Sequence, residues 1–293
     1  MQTKLILIDG NAILHRAFHA LPSNLKSKRG EPVNAVYGFV AILINLVTAQ
    51  NPTHIAVCFD TPVETLRKAQ YVGYQATRPR LQSDLSSQFE LTYKVLKAMN
   101  IPIYKKERYE ADDCIGTIVH QCVGLVDEVV IVTGDRDILQ LVNDKNKVQV
   151  YMPVQGINKA KLYNEKEVFD RMGVKASQII DYKGLAGDSS DNYPGVPGIG
   201  PGTATKLLRQ YKTLEDIYKD ISNIPEKISK KLALGAESAV MSKNLATIMV
   251  DVPITFNLED SGKWSLNSQK VLDEFAEIGF KTLTARVKQL PLI

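Results

Sequence analysis

The chain has 293 residues, long for one ordinary domain and short for two large ones. Its 44% hydrophobic content supports a sizeable buried core and excludes a disordered chain, while a net charge of +4 is too small to name a partner by itself. The N-terminus has no signal-peptide pattern, no run reaches the roughly 18 apolar residues of a membrane helix, and the three cysteines lack C-x-x-C spacing, so a cytoplasmic protein with reduced, buried thiols and no membrane segment is expected.

Leu5 to Ile8 is a short apolar run that predicts a buried strand, followed at once by Asp9-Gly10-Asn11. Asn34 to Val47 has helical periodicity, and His54 to Phe59 predicts a second strand closed by Asp60. Between Glu64 and Arg108, nine basic residues (Arg67, Lys68, Arg78, Arg80, Lys94, Lys97, Lys105, Lys106, Arg108) stand against four acids, with Tyr71, Tyr74 and Tyr93 interleaved. Such a stretch can neutralise phosphates and stack bases, although a solvated helix face is the commoner meaning of a charge run. Ile101 to Tyr104 is a short strand candidate, and Ala111 to Val123 a helix opened by Glu110-Ala111-Asp112-Asp113. Glu128 to Val132 predicts a third strong strand, followed by Thr133-Gly134-Asp135-Arg136-Asp137, and Lys147 to Tyr151 a further one. Strands alternating with helices predict an α/β domain with a mostly parallel sheet. Beyond about residue 160 short helical patterns take over and predict a helical region, attached without a flexible linker, that runs to the end.

In an open α/β sheet, ligands bind beyond the carboxyl ends of the strands. Asp9, Asp60 and Asp135 each follow a predicted strand directly or by one turn, so parallel strands would bring them together; Asp188 and Asp191 stand in Gly187-Asp188-Ser189-Ser190-Asp191-Asn192. Each acid alone is ordinarily an N-cap or turn residue. As a set they repel, and burying several without counter-charge costs more than a marginally stable fold tolerates. Divalent cations are therefore expected. Oxygen-only ligands favour Mg2+ or Mn2+, with Ca2+ as the alternative, and two ions roughly 3.5–4 Å apart can activate a water and stabilise a leaving oxygen in phosphoryl displacement. His15, His19, His54 and His120 have no zinc-ligand spacing and read as packing or surface residues.

Gly195-Val196-Pro197-Gly198-Ile199-Gly200-Pro201-Gly202 joins a predicted helix ending near Ala186 to a second one carrying Lys206, Arg209 and Lys212. Closely spaced glycines let backbone N–H groups reach a phosphate at a helix N-terminus; a turn with no ligand is the plain alternative. The pattern follows a helix, which excludes a dinucleotide fingerprint, and no P-loop motif is present.

These residues make the chain recognisable. Leu7-Ile8-Asp9-Gly10, Val57-Cys58-Phe59-Asp60, Glu110-Ala111-Asp112-Asp113, Thr133-Gly134-Asp135-Arg136-Asp137, the segment from Gly187 to Asn192 and the run from Pro194 to Gly200 occur in the order of one family. The chain resembles the 5′-nuclease domain at the N-terminus of bacterial DNA polymerase I, within the flap endonuclease superfamily. The resemblance implies a PIN-like, mostly parallel sheet flanked by helices over residues 1–160, with a helical arch at about 61–100. It implies a helical DNA-binding region over 161–293, with a helix–three-turn–helix at about 178–212 that grips duplex DNA and holds K+. It assigns Asp9, Asp60, Glu110 and Asp112 to one metal and Asp135, Asp137, Asp188 and Asp191 to a second, with Asp113 beside them. Arg67 and Asp113 are then catalytic, and Tyr74, Gln75, Arg78, Gly195, Gly198, Gly200 and Lys206 bind substrate. The expected activity is a structure-selective 5′-3′ exonuclease or flap endonuclease of DNA replication and repair. The expected substrate is DNA with a 5′ flap or 5′ end, or an RNA/DNA hybrid, cut by a monomer. No polymerase sequence is present, which suits a stand-alone nuclease or a fragment.

Two departures stand out. The family's arch carries Phe-Arg and then Tyr-Lys-x-x-Arg; here Leu66-Arg67 precedes Tyr74-Gln75-Ala76-Thr77-Arg78. Gln75 offers a hydrogen bond without the charge of the lysine it replaces, with Lys68 and Arg80 as candidates to supply it. Two rival readings stay open: a flap-DNA-binding protein weakened by Gln75, and a PIN-like RNA-processing nuclease.

Overall fold

Alternating side chains on the central strands feed two separate cores. Leu5 and Leu7 enter one and Ile6 and Ile8 the other, and Val129 and Ile131 alternate with Val130 and Val132 in the same way. Strands buried on both faces lose the polar half of the usual alternation, which is why they read as continuous apolar runs. The computed structural model describes residues 2–78, 82–155 and 159–290.

The strands are β1 (Lys4–Asp9), β2 (His54–Cys58), β3 (Ile103–Tyr104), β4 (Glu128–Val132), β5 (Val148–Gln155) and β6 (Lys159–Tyr163), in the order β3-β2-β1-β4-β5-β6. The first five are parallel and β6 pairs antiparallel with β5. The fold is thus the expected mostly parallel α/β sheet flanked by helices. β1 lies between β2 and β4, with Asp9 opposite Cys58 and Ile8 opposite Val132. The three acids that follow these strands therefore leave the sheet side by side, at the point where strand order reverses.

One face is covered by α1 (Gly10–Ala20) and α2 (Asn34–Gln50). The short α3 (Leu66–Gln70) stands off the sheet, and α4 (Ser83–Ala98) returns to this face through Leu85 and Val95. The opposite face carries α5 (Ala111–Cys122), α6 (Glu165–Met172), α7 (Ile179–Ala186), α8 (Pro201–Gln210), α9 (Leu214–Lys219), α10 (Glu226–Leu234) and α11 (Ala236–Ala246). After α12 (Leu258–Ser261), helices α13 (Gln269–Ile278) and α14 (Lys281–Val287) return to the face of α2, burying Phe275 and Leu283 there.

Several features differ from the sequence expectation. β6 straddles residue 160, where the strand signal was expected to end, and the exposed Lys161 suits an edge. The helical region divides between the two faces of the sheet. Of the stretch expected to form the arch, α4 packs against α2 and α13 and is part of the body of the fold. Helix α1 was not anticipated: Asp9 N-caps it by accepting from the Ala12 N–H. All three cysteines are buried and unbridged. No helix among the described residues is long and apolar enough to cross a membrane.

Candidate metal centre and nucleic-acid cleft

A cleft of about 1260 Å3 opens at the carboxyl ends of the strands, and Asp9, Asp60, Glu110, Asp112, Asp135, Asp137 and Asp191 all line it. Asp188 joins from the side: Asp137, Asp188 and Asp191 can place one oxygen each within 4.8 Å of one another. All eight acids expected to hold metal are therefore gathered at one end of the sheet.

The first group is held by backbone donors and neighbours. Asp9 accepts from Ala12 N at 2.9 Å and from the Thr133 hydroxyl at 2.7 Å. Asp60 accepts from Ala111 N at 2.7 Å. Glu110 precedes α5; its Oε2 accepts from Tyr74 at 3.1 Å, while its buried Oε1 has no hydrogen-bond partner among the described residues. Burial, with the charges of Asp60 and Asp135 adding, pushes Asp9 up to about 7. Burial likewise holds Glu110 at about 7, against the pull of Arg67 and with Asp113 and Asp60 adding, and raises Asp112 well above the ordinary range. The all-oxygen chemistry of these buried carboxyls, one oxygen of Glu110 orphaned among them, fits Mg2+ or Mn2+, while among the described residues only Asp137, Asp188 and Asp191 already approach one another as a set of three.

In the second group a protein cation already sits among the acids. The Lys183 ammonium, on α7 and almost fully buried, donates to Asp137 and to Asp188. Arg78 donates to Asp191 at 2.6 Å. Burial still pushes Asp137 up to about 7 despite Lys183. For Asp188 burial acts in the same direction, but Lys183 and Ser190 outweigh it and hold the carboxyl below its usual value. Sequence reasoning missed Lys183, a single lysine in a short helix that only the fold brings under Asp137.

Two residues expected to be catalytic are placed otherwise. The Arg67 guanidinium spends its donors on protein oxygens: Nε on the Leu245 carbonyl at 2.9 Å, Nη1 on Glu110 at 3.1 Å and Asp113 at 2.7 Å, Nη2 on Asp113 at 2.7 Å and the Thr247 carbonyl at 2.8 Å. Five N–H groups make five hydrogen bonds and none is left for a phosphate. Asp113 is 0% exposed and also accepts from Glu110 N and Met249 N. The pair is a buried bidentate knot that ties α3, the start of α5 and the end of α11 together, and both members bond to Glu110.

The substrate-binding expectations divide. Tyr74 is 3% exposed, and its ring is stacked on Tyr193 with centroids 6.4 Å apart, so it has no open face for a base. Gln75 and Arg78 line the cleft, and Gln75 N donates to the Asp191 carbonyl at 2.8 Å. Gly195 is an internal hinge: its N–H donates to Ser242, its carbonyl accepts from Ser238, and a Cβ there would lie 2.2 Å from Gly187 N. The Gly198 carbonyl accepts from Lys231 at 2.8 Å. Gly200 starts α8, where a Cβ would meet open space, and Lys206 is exposed one turn on. Arg80 lies outside the described residues, whereas Lys68 is exposed at the cleft. His15 and His19, expected as packing or surface residues, line the cleft from α1 together with Arg16, on which the sequence gave no expectation. Their signal was present as i, i+4 spacing in a helix capped by Asp9.

Comparison with known proteins identifies the family. The family model for the 5′-3′ exonuclease N-terminal resolvase-like domain matches residues 4–173, and that for the 5′-3′ exonuclease C-terminal SAM fold matches residues 174–270. DNA polymerase I of Caldicellulosiruptor bescii is 40% identical over 284 residues, covering 97% of this chain and 33% of that protein. DNA polymerase I of Bacillus subtilis is 40% identical over 285 residues, covering 97% and 32%. The chain thus spans about a third of the length of these relatives. A crystal structure of bacteriophage T5 flap endonuclease in a complex with DNA and metal ions has the same fold, with a TM-score of 0.67 at 21% identity, covering 97% of each chain.

Proposed function

The chain belongs to the 5′-3′ exonuclease family, and from that premise we propose that it is a structure-selective 5′-nuclease that hydrolyses DNA phosphodiesters with two divalent cations. The observation that carries this reading is the convergence of eight carboxylates at one end of the sheet, seven of them lining the cleft, one with an orphaned oxygen and three pushed up to about 7 by burial. Asp9, Asp60, Glu110 and Asp112 would hold one cation and Asp135, Asp137, Asp188 and Asp191 the other. Mg2+ or Mn2+ bound there supplies water activation and neutralises charge on the phosphate.

The protein's own groups do the rest. Arg67 and Asp113 fix Glu110, and Thr133 and the Ala12 amide fix Asp9. Arg78 is half-exposed, lines the cleft and has its guanidinium held by Asp191 alone among the described residues, so it can leave Asp191 for a phosphate oxygen; Gln75 offers a neutral donor beside it. Lys206 and the start of α8 suit the backbone of the duplex arm, and the turn from Gly195 to Gly200 is the candidate K+ site, with the Gly198 carbonyl already taken by Lys231. DNA bearing a 5′ flap or 5′ end, or an RNA/DNA hybrid, is the proposed substrate, and primer or flap removal in replication and repair the proposed role. The T5 enzyme crystallised with DNA and metal ions supports both the substrate class and the cations.

A 5′-labelled flap assayed with and without Mg2+, beside a linear duplex, tests the reading. Asp135→Asn should abolish cleavage and leave flap binding within about twofold, because a neutral amide keeps the shape and removes a ligand charge. Full metal-dependent cleavage by that variant would overturn it.

A further inference from the structure

One buried group near the acids has no assigned work. Tyr193 is 3% exposed, and its hydroxyl is buried without a hydrogen-bond partner among the described residues. A hydroxyl left in that state costs stability, so it calls for an explanation. Its direction is set by the backbone. Asp188 N donates to the Tyr193 carbonyl at 2.9 Å and Tyr193 N to the Asp188 carbonyl at 3.0 Å, an isolated antiparallel bridge. Residues directly opposite in such a bridge send their side chains to the same face. The phenol therefore runs alongside the Asp188 carboxylate. Stacking against Tyr74 and packing with Leu245 and Ala246 hold the ring there. Lys183, Asp137, Asp188 and Asp191 are the charges the hydroxyl feels.

Lys183 supplies hydrogen bonds to Asp137 and Asp188, and the phenol donates to neither. A divalent cation among those acids would repel the ammonium and free carboxylate oxygens that the cation does not use. We propose that Tyr193 is a positioning residue for the second cation, donating its hydrogen bond to a carboxylate of the Asp137–Asp188–Asp191 cluster once Lys183 gives way. The inference rests on the two-cation reading above. Groups that hydrogen-bond to metal ligands ordinarily carry 10–100-fold in affinity, and Tyr193 is the buried donor in place to do so.

The test is Tyr193→Phe in the full chain, which keeps the ring and its stacking. Calorimetric titration with Mn2+ at pH 7.5 should show one of two sites losing roughly tenfold in affinity, with the other unchanged. Without metal, the variant's Tm should equal or exceed that of wild type, because the lost hydroxyl made no bond. Tyr218→Phe is the control: that hydroxyl donates to the Leu232 carbonyl at 2.9 Å, so its loss should lower Tm and leave both Mn2+ affinities alone. Equal Mn2+ affinities in Tyr193→Phe and wild type, or a lower metal-free Tm in the variant, overturn the inference alone. Fewer than two ions in wild type overturn the two-cation reading and the inference with it.

Discussion

Replacing Arg67 with methionine separates a positioning role from a phosphate-binding one. Methionine fills much of the volume of the side chain but leaves Asp113, fully buried, without its bidentate partner, and leaves the Leu245 and Thr247 carbonyls without donors. Removing one member of a buried ion pair costs about 3–5 kcal/mol. At roughly 2–4 °C per kcal/mol for a chain of this size, Tm should fall by roughly 6–20 °C. The measurement is calorimetric unfolding in metal-free buffer, beside flap cleavage at a temperature where the variant is folded. Arg67→Met/Asp113→Leu should recover part of the loss, because removing both charges leaves no unpaired one. A variant that melts within 2 °C of wild type, roughly the effect of a single kcal/mol, yet cleaves several hundredfold more slowly would refute the reasoning and put Arg67 on the phosphate.

Three further outcomes follow from the site. Asp9, Glu110 and Asp137 are held by burial up to about 7, so the metal-free native state binds protons that the unfolded chain releases from about pH 4 upward. Their contribution to stability falls as pH rises through that window, and Mg2+, which needs ionised carboxylates, should raise Tm more at pH 8 than at pH 5; an equal rise at both would contradict this. Gln75→Lys should speed single-turnover cleavage about tenfold, the effect of giving a phosphate contact a charge, and an unchanged rate would mean that Arg78 or Lys68 already supplies it. Gly195→Ala should lower Tm and weaken duplex binding together, since a Cβ would strike Gly187 N in a backbone of positive φ; normal stability would show the hinge can shift.

What was legible in the sequence was local and periodic. β1, β2 and β4 announce themselves as apolar runs ended by acids, and parallel pairing converts those ends into one cluster. That is why the sequence alone places Asp9, Asp60 and Asp135 together. The partners that modify their chemistry come from far along the chain. Arg67 meets carbonyls about 180 residues away, as the 178-residue separation from Leu245 illustrates. Such a contact leaves no periodicity to read, so the sequence presents Arg67 as catalytic and Tyr74 as substrate-binding, whereas both bond to Glu110 in the structure. Lys183 and Tyr193 escaped for the same reason. The C-terminal helices were legible as helices, but the face of the sheet that Phe275 and Leu283 cover depends on the path of the whole chain between α11 and α13.

The central claim is that paired divalent cations make this concentration of carboxylates tolerable. Crystals soaked in Mn2+ and measured at the manganese absorption edge test it most directly. Two anomalous peaks roughly 3.5–4 Å apart are predicted, one against Asp9, Glu110 and Asp112 and the other against Asp137, Asp188 and Asp191 with Lys183 turned away. A map without peaks, the acids still paired to Lys183 and Arg78, would contradict it.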